Sequence, residues 1–216
     1  LLPMGNISDR VGRKKIYLYG VIIMAAGSLF SSFSNEIVSL LIFRIIVSIG
    51  AAMRMSTGLA MVMMIFKDKE RGKGLGANTT TVGLAAITGP IFGGFLVGNF
   101  GWESIFITQA LLSLPTYLLG FYFLNKDVVD SNHNQRKGNF DFIGSIISAI
   151  AFSVLLFTIN YGLVNMSTLI ISFSFLISML LFILFIYAET KADQPILNTI
   201  LLKNKNFILT MGTRLL

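Results

Sequence analysis

The sequence contains no cysteine, which excludes disulfides and thiolate metal sites. Its one histidine, His133, sits in a polar stretch, so no histidine cluster is available for a metal or for acid–base catalysis. There is no P-loop lysine motif and no nucleophile elbow, and nothing implies a cofactor. Charge is scarce as well. Only 12% of the residues are charged and 54% are hydrophobic, where a soluble domain has about 25% and about 45–50%. With a mean hydropathy of +0.77, 216 residues cannot hide this much apolar surface inside a soluble body. The solvent is lipid.

Apolar runs long enough to span a bilayer, about 20 residues each, occur at 16–33, 37–66, 75–98, 103–124, 141–163 and 168–188. A partial helix ending near Pro3 precedes them and another begins near Phe207. The chain opens on Leu1 with no charged n-region or cleavage site after it, and it closes inside an apolar run. Both ends read as cut from something longer.

The bases are one-sided. Fourteen of the 17 Lys and Arg residues fall in alternate connections, around 10–15, 67–73, 126–137 and 191–205. The opposite connections, near Asn35, Asn99 and Asn165, hold only the acids Glu36 and Glu103. By the positive-inside rule the basic connections are cytoplasmic. This placement accounts for the net charge of +7 with no nucleic-acid partner. Arg44, Arg54 and Arg214 are the bases left within apolar segments.

The segment Gly5-Asn6-Ile7-Ser8-Asp9-Arg10-Val11-Gly12-Arg13-Lys14-Lys15 reads as a tight turn between two apolar segments. Its bases alone would be ordinary interfacial anchors, but they leave Asp9 and the two glycines unexplained. Gly5 would let helix ends approach closely, and Gly12 permits backbone angles other residues resist. Asp9 can face a helix N-terminus or pair with a base; Asp68 and Glu70 are candidate counter-charges for Arg13. The segment resembles the signature loop between the second and third helices of the major facilitator superfamily, G-x-L-A/S-D-R-x-G-R-R/K-R/K, with Ile7 in place of Leu. The resemblance makes Gly5, Asp9, Arg10, Gly12, Arg13 and Lys14 a cytoplasmic gate loop.

Leu40-Leu-Ile-Phe-Arg44-Ile-Ile-Val-Ser-Ile-Gly50-Ala-Ala52 places an arginine inside a spanning run, where it is costly and by default functional. It resembles that family's proton-coupling pattern l-x-x-x-R-x-x-q-G-x-g-a-a, with Val47 and Ser48 departing from Gln and Gly. By resemblance Arg44 would bias protonation of an acid on a first helix that the chain lacks. The plainer reading is an arginine snorkelling to the outer interface. Arg54 lies about 15 Å deeper by helical rise. No family pattern includes it, and it would line a cavity favouring anionic or polar substrates.

Gly83-Leu-Ala-Ala-Ile-Thr-Gly89-Pro90-Ile-Phe-Gly93-Gly94 combines a proline kink with glycines four apart, which by itself means close helix packing. The spacing resembles g-x-x-x-x-x-G-P-x-x-G-G of the fifth helix, which marks antiporters in that superfamily. Further stretches narrow the resemblance. Trp102-Glu-Ser-Ile-Phe106 resembles the entry to the sixth helix. Phe140-Asp-Phe-Ile-Gly144 resembles the start of the extra helix pair in 14-helix drug:proton antiporters, and Gln194-Pro-Ile-Leu197 with Lys203-Asn-Lys-Asn-Phe207 resembles the lead into the ninth helix. Met53 to Met64 is methionine-rich, a pliable wall or simple helix filler.

The expected fold is all-α and membrane-embedded. It comprises a partial N-terminal bundle over 1–124, a cytoplasmic linker over 125–140, two extra helices over 141–188, and a cytoplasmic loop with the start of a C-terminal bundle over 189–216. The resemblance implies a non-enzymatic, multi-pass transporter of the plasma membrane. It would export small hydrophobic or cationic compounds, drugs among them, in exchange for protons. Its partners would be the substrate, protons, the lipid bilayer and the C-terminal half that the chain lacks. Without that half the chain alone is expected not to transport. The alternatives are a narrow exporter of one metabolite, peptide or antibiotic, and a membrane sensor that transports nothing.

Overall fold

The computed structural model describes residues 2–66, 68–130, 142–162 and 167–191. Among them all regular structure is helical. The first unit, within Pro3–Arg136, holds α1 (Leu2–Val11), α2 (Arg13–Ser32), α3 (Ile37–Ile65), α4 (Arg71–Phe100), α5 (Glu103–Phe123) and the single turn α6 (Lys126–Val129). The second, within Lys137–Leu216, holds α7 (Phe142–Phe157) and α8 (Thr168–Lys191).

Among the described residues five helices (α2 to α5 and α8) are long and apolar enough to cross a membrane. The sequence led us to expect six. The span expected over 141–163 is instead an α-helix that ends at Phe157 and continues as a π-helical turn, Thr158–Gly162. There the Thr158 hydroxyl donates to the Val154 carbonyl at 2.8 Å and the Asn160 amide to Leu156 at 2.9 Å. Side-chain donors that engage carbonyls one turn back compete with the regular backbone ladder.

In the first unit α2 lies between α3 and α5. Its buried residues Ile16, Gly20, Met24, Gly27 and Ser31 recur every three or four positions, and α3 answers with Val47, Gly50, Met53, Thr57 and Met61. The two helices touch backbone to backbone. A Cβ on Gly20 would stand 2.8 Å from the Gly50 carbonyl oxygen, and one on Gly50 would stand 2.6 Å from the Met24 nitrogen. A Cβ on Gly27 would stand 2.9 Å from Val47. Lipid gives helices no hydrophobic reason to associate, so close approach through small residues is what joins them. On the other side of α2, α5 presents Phe106, Ser113 and Gly120 at seven-residue intervals, and Gly120 meets Tyr17 and Leu18.

By contrast, α4 buries only Gly74, against Phe66. Ile87 and Ile91 are 68% and 70% exposed, and the helix runs unbroken through Pro90. The close glycine packing expected at Gly89, Gly93, Gly94 and Gly98 has no partner among the described residues: a Cβ on any of them meets nothing within 4 Å. In the second unit α7 packs on α8 through buried Ala151, Ser148, Ser178 and Phe185, with Phe152 and Phe182 edge to face at 4.9 Å.

Gly50→Val would force the α2–α3 crossing apart against main-chain atoms that cannot turn aside. We predict a loss of about 1–3 kcal/mol, read as a lower thermal midpoint of the solubilised protein. Gly58→Ala, which meets nothing within 4 Å, should leave the midpoint unchanged or raise it. Equal effects of the two would refute the crossing as the joint.

Candidate functional site

The glycine-flanked segment is less of a turn than its composition led us to expect. The helix expected to end near Pro3 continues to Val11, with the Ser8 hydroxyl donating to the Gly5 carbonyl at 2.7 Å. Nothing lies within 4 Å of a Cβ on Gly5, so the close approach read there is not seen among the described residues. The break comes at Gly12 alone, whose φ of 110° is a conformation that side-chain-bearing residues rarely adopt.

That break leaves the N-terminus of α2 open, and a residue far along the chain closes it. Asp130 Oδ1 accepts the backbone N–H of Arg13 at 2.6 Å and that of Lys14 at 3.4 Å. A carboxylate here satisfies orphan amides and faces the positive end of the helix dipole. Gly12 is also needed for this approach, since a Cβ there would come 3.1 Å from Asp130 Oδ2. Nothing near Asp130 in sequence signals the role. It is the functional-looking residue that sequence reading missed.

The bases of the segment divide their work. Arg13 Nε and Nη2 donate to Asp9 Oδ1 at 2.9 and 2.8 Å, while Nη1 lies against Met64 Sδ near the end of α3. The counter-charge of Arg13 is therefore Asp9, one turn back. Glu70, a candidate for that part, pairs with Lys73 at 3.7 Å; the side chain of Asp68 lies outside the described residues. Lys14 Nζ donates to the Phe121 and Leu124 carbonyls at 2.8 and 2.7 Å, a cation on the open C-terminus of α5. Through Asp130, Arg13 and Lys14, this segment ties together α1, α2, α3 and the end of α5.

The two membrane arginines have separate surroundings. Arg44 is exposed on α3, and its guanidinium lies 4.9 Å from the centroid of the buried Phe106 ring on α5, within cation–π range. Arg54 lies within one turn of the middle of α3 and lines an open cavity of about 450 Å³ with Gly89, Phe92, Thr108 and Gln109. Its Nε is buried without a hydrogen-bond partner among the described residues. Of the antiporter-like motif, Gly89 and Gly93 also border this cavity. The stretches at Phe140–Asp141 and Gln194–Phe207 lie outside the described residues.

A family model described as the Major Facilitator Superfamily matches residues 1–208. The chain belongs to the major facilitator superfamily. This makes it part of a multi-pass membrane transporter and not of an enzyme. Similar proteins include the riboflavin transporter RibZ of Clostridioides difficile strain 630, 32% identical over 207 residues. Multidrug resistance protein 3 of Bacillus subtilis strain 168 is 27% identical over 205 residues, and the methylenomycin A resistance protein of the same strain 28% over 209. These alignments take in 96%, 94% and 96% of this chain but only 43%, 39% and 44% of the relatives. The chain thus spans about two fifths of the length of the transporters it matches. Their bacterial sources point to the plasma membrane.

Removing the Asp130 carboxylate should free the α2 N-terminus. Hydrogen bonds to a charged group are worth about 1.5–3 kcal/mol, less at this partly exposed site. Asp130→Ala is predicted to speed amide exchange at Arg13 and Lys14 several-fold in the solubilised protein. Unchanged protection there would refute the cap.

Proposed function

We propose that this chain acts as the N-terminal part of a proton-coupled antiporter that exports small hydrophobic or cationic compounds, drugs among them. The observation that carries the reading is α4. It bears Gly83, Gly89, Pro90, Gly93 and Gly94 in the antiporter-like spacing on one unbroken helix, and a Cβ on any of these four glycines would meet no described neighbour within 4 Å. An exposed small-residue face suits a second bundle that rocks against the first during alternating access. The drug-resistance names of several relatives support export.

In this reading Arg44 is the coupling residue. Stacking on Phe106 holds its charge at the outer part of α3, where it would lower the proton affinity of a carboxylate brought near it. The Asp9–Arg13 pair and the Asp130 cap form the cytoplasmic latch of one conformational state, with Gly5, Arg10 and Gly12 shaping the loop and Lys14 anchoring it to α5. The C-terminal half of the transporter supplies the opposing bundle.

A narrower exporter of one metabolite or antibiotic is favoured by one observation, the similarity to a protein named a riboflavin transporter. To decide, the complete transporter is expressed in cells lacking their own efflux pumps, and loss of a fluorescent cationic dye is followed with and without a proton gradient. We expect gradient-dependent efflux that Arg44→Ala reduces at least ten-fold. No dye efflux from a correctly inserted protein would favour the narrow exporter or a sensor. Efflux indifferent to the substitution would remove Arg44 from coupling.

A further inference from the structure

A guanidinium in mid-membrane is expensive and needs compensation. Among the described residues no acid pairs with Arg54. No Asp or Glu lines the cavity that it borders, and its Nε donor, shielded from solvent, reaches no acceptor among the described residues. The neighbouring side chains are neutral. The Ser113 and Thr116 hydroxyls already donate to the Gln109 and Leu112 carbonyls at 2.8 Å each, so only their lone pairs remain to face Arg54. Gln109 and Thr108 add further polar edges, and Phe92 supplies a flat apolar wall.

The lining of this cavity thus combines a positive, fork-shaped donor, neutral polar groups and an aromatic surface. From this combination we propose that the Arg54 cavity is a binding site for an organic anion: a carboxylate carried on a flat apolar body. The guanidinium takes the acid through its two terminal amino groups, a paired donation that Arg offers and Lys does not, while the shielded Nε stays out of the ligand's reach. Gln109 and Thr108 complete the polar contacts, while the ring system lies against Phe92. The cavity volume of about 450 Å³ falls in the range of small-ligand sites. This rests on the transport reading and departs from its cationic substrate class, adding anionic apolar compounds to what the site would take.

The test uses the complete transporter, purified in detergent, with fluorescein as the planar anionic probe and ethidium as its cationic counterpart, both followed by fluorescence anisotropy. Fluorescein should bind the parent protein. Arg54→Gln should weaken that binding at least ten-fold, Arg54→Lys should recover only part of it, and ethidium binding should not weaken in either variant. Should Arg54→Gln not yield monodisperse protein, the pair Thr108→Val with Gln109→Leu serves, with an expected loss of several-fold. Equal fluorescein affinity in parent and variants overturns the proposal. So does absence of fluorescein binding to the parent, as when an acid elsewhere in the transporter already occupies Arg54. Binding is read at equilibrium without a gradient, so a failure of proton-coupled export leaves this result standing, and the reverse.

Discussion

The first unit depends on the place where α2 and α3 meet without side chains between them. Gly20 and Gly50 bring main chain against main chain. In water such a joint would be one contribution among many apolar ones. In lipid, where an exposed leucine costs nothing, shape and close approach decide which helices associate. Hence the two most closely packed helices are joined by glycines, while large apolar residues such as Leu111 and Ile91 stand exposed on the outside.

From that joint the basic end of the unit follows. With α2 held against α3 and α5, its first residues arrive beside the ends of α3, α5 and α6. Asp130 can then reach the amides of Arg13 and Lys14, Arg13 can reach Met64, and Lys14 can cap α5. The Asp130 and Lys14 contacts use main-chain groups left open by helix ends, whereas Arg13 meets the Met64 side chain, and Asp130 Oδ2 is left buried without a hydrogen-bond partner among the described residues.

The same joint explains the contrast between the two arginines of α3. Both are ten residues apart on one helix, which places them about 15 Å apart along it and about 80° around it. Arg44 finds an aromatic face on α5, whereas Arg54 faces an open cavity edged by α4. One charge is held by the unit; the other is offered to whatever enters.

Much was already legible in the chain. Apolar run length marked the positions of α2 to α5 and α8, because spanning a bilayer imposes a length on any helix. The sidedness of the bases and the spacing of Asp9, Gly12 and Arg13 marked the segment, but the Asp9–Arg13 pair spans the break at Gly12 and so depends on how α1 meets α2. Local reading failed where local chemistry offered no warning. It took Gly5–Lys15 for a turn, and apolar length alone could not show that the run over 141–163 ends in a π turn. Asp130, more than a hundred residues from the amides that it caps, and the meeting of Gly20 with Gly50 were decided only by tertiary structure. Such partners are selected by the distance between helices, a property of the packed bundle that no stretch of sequence carries by itself.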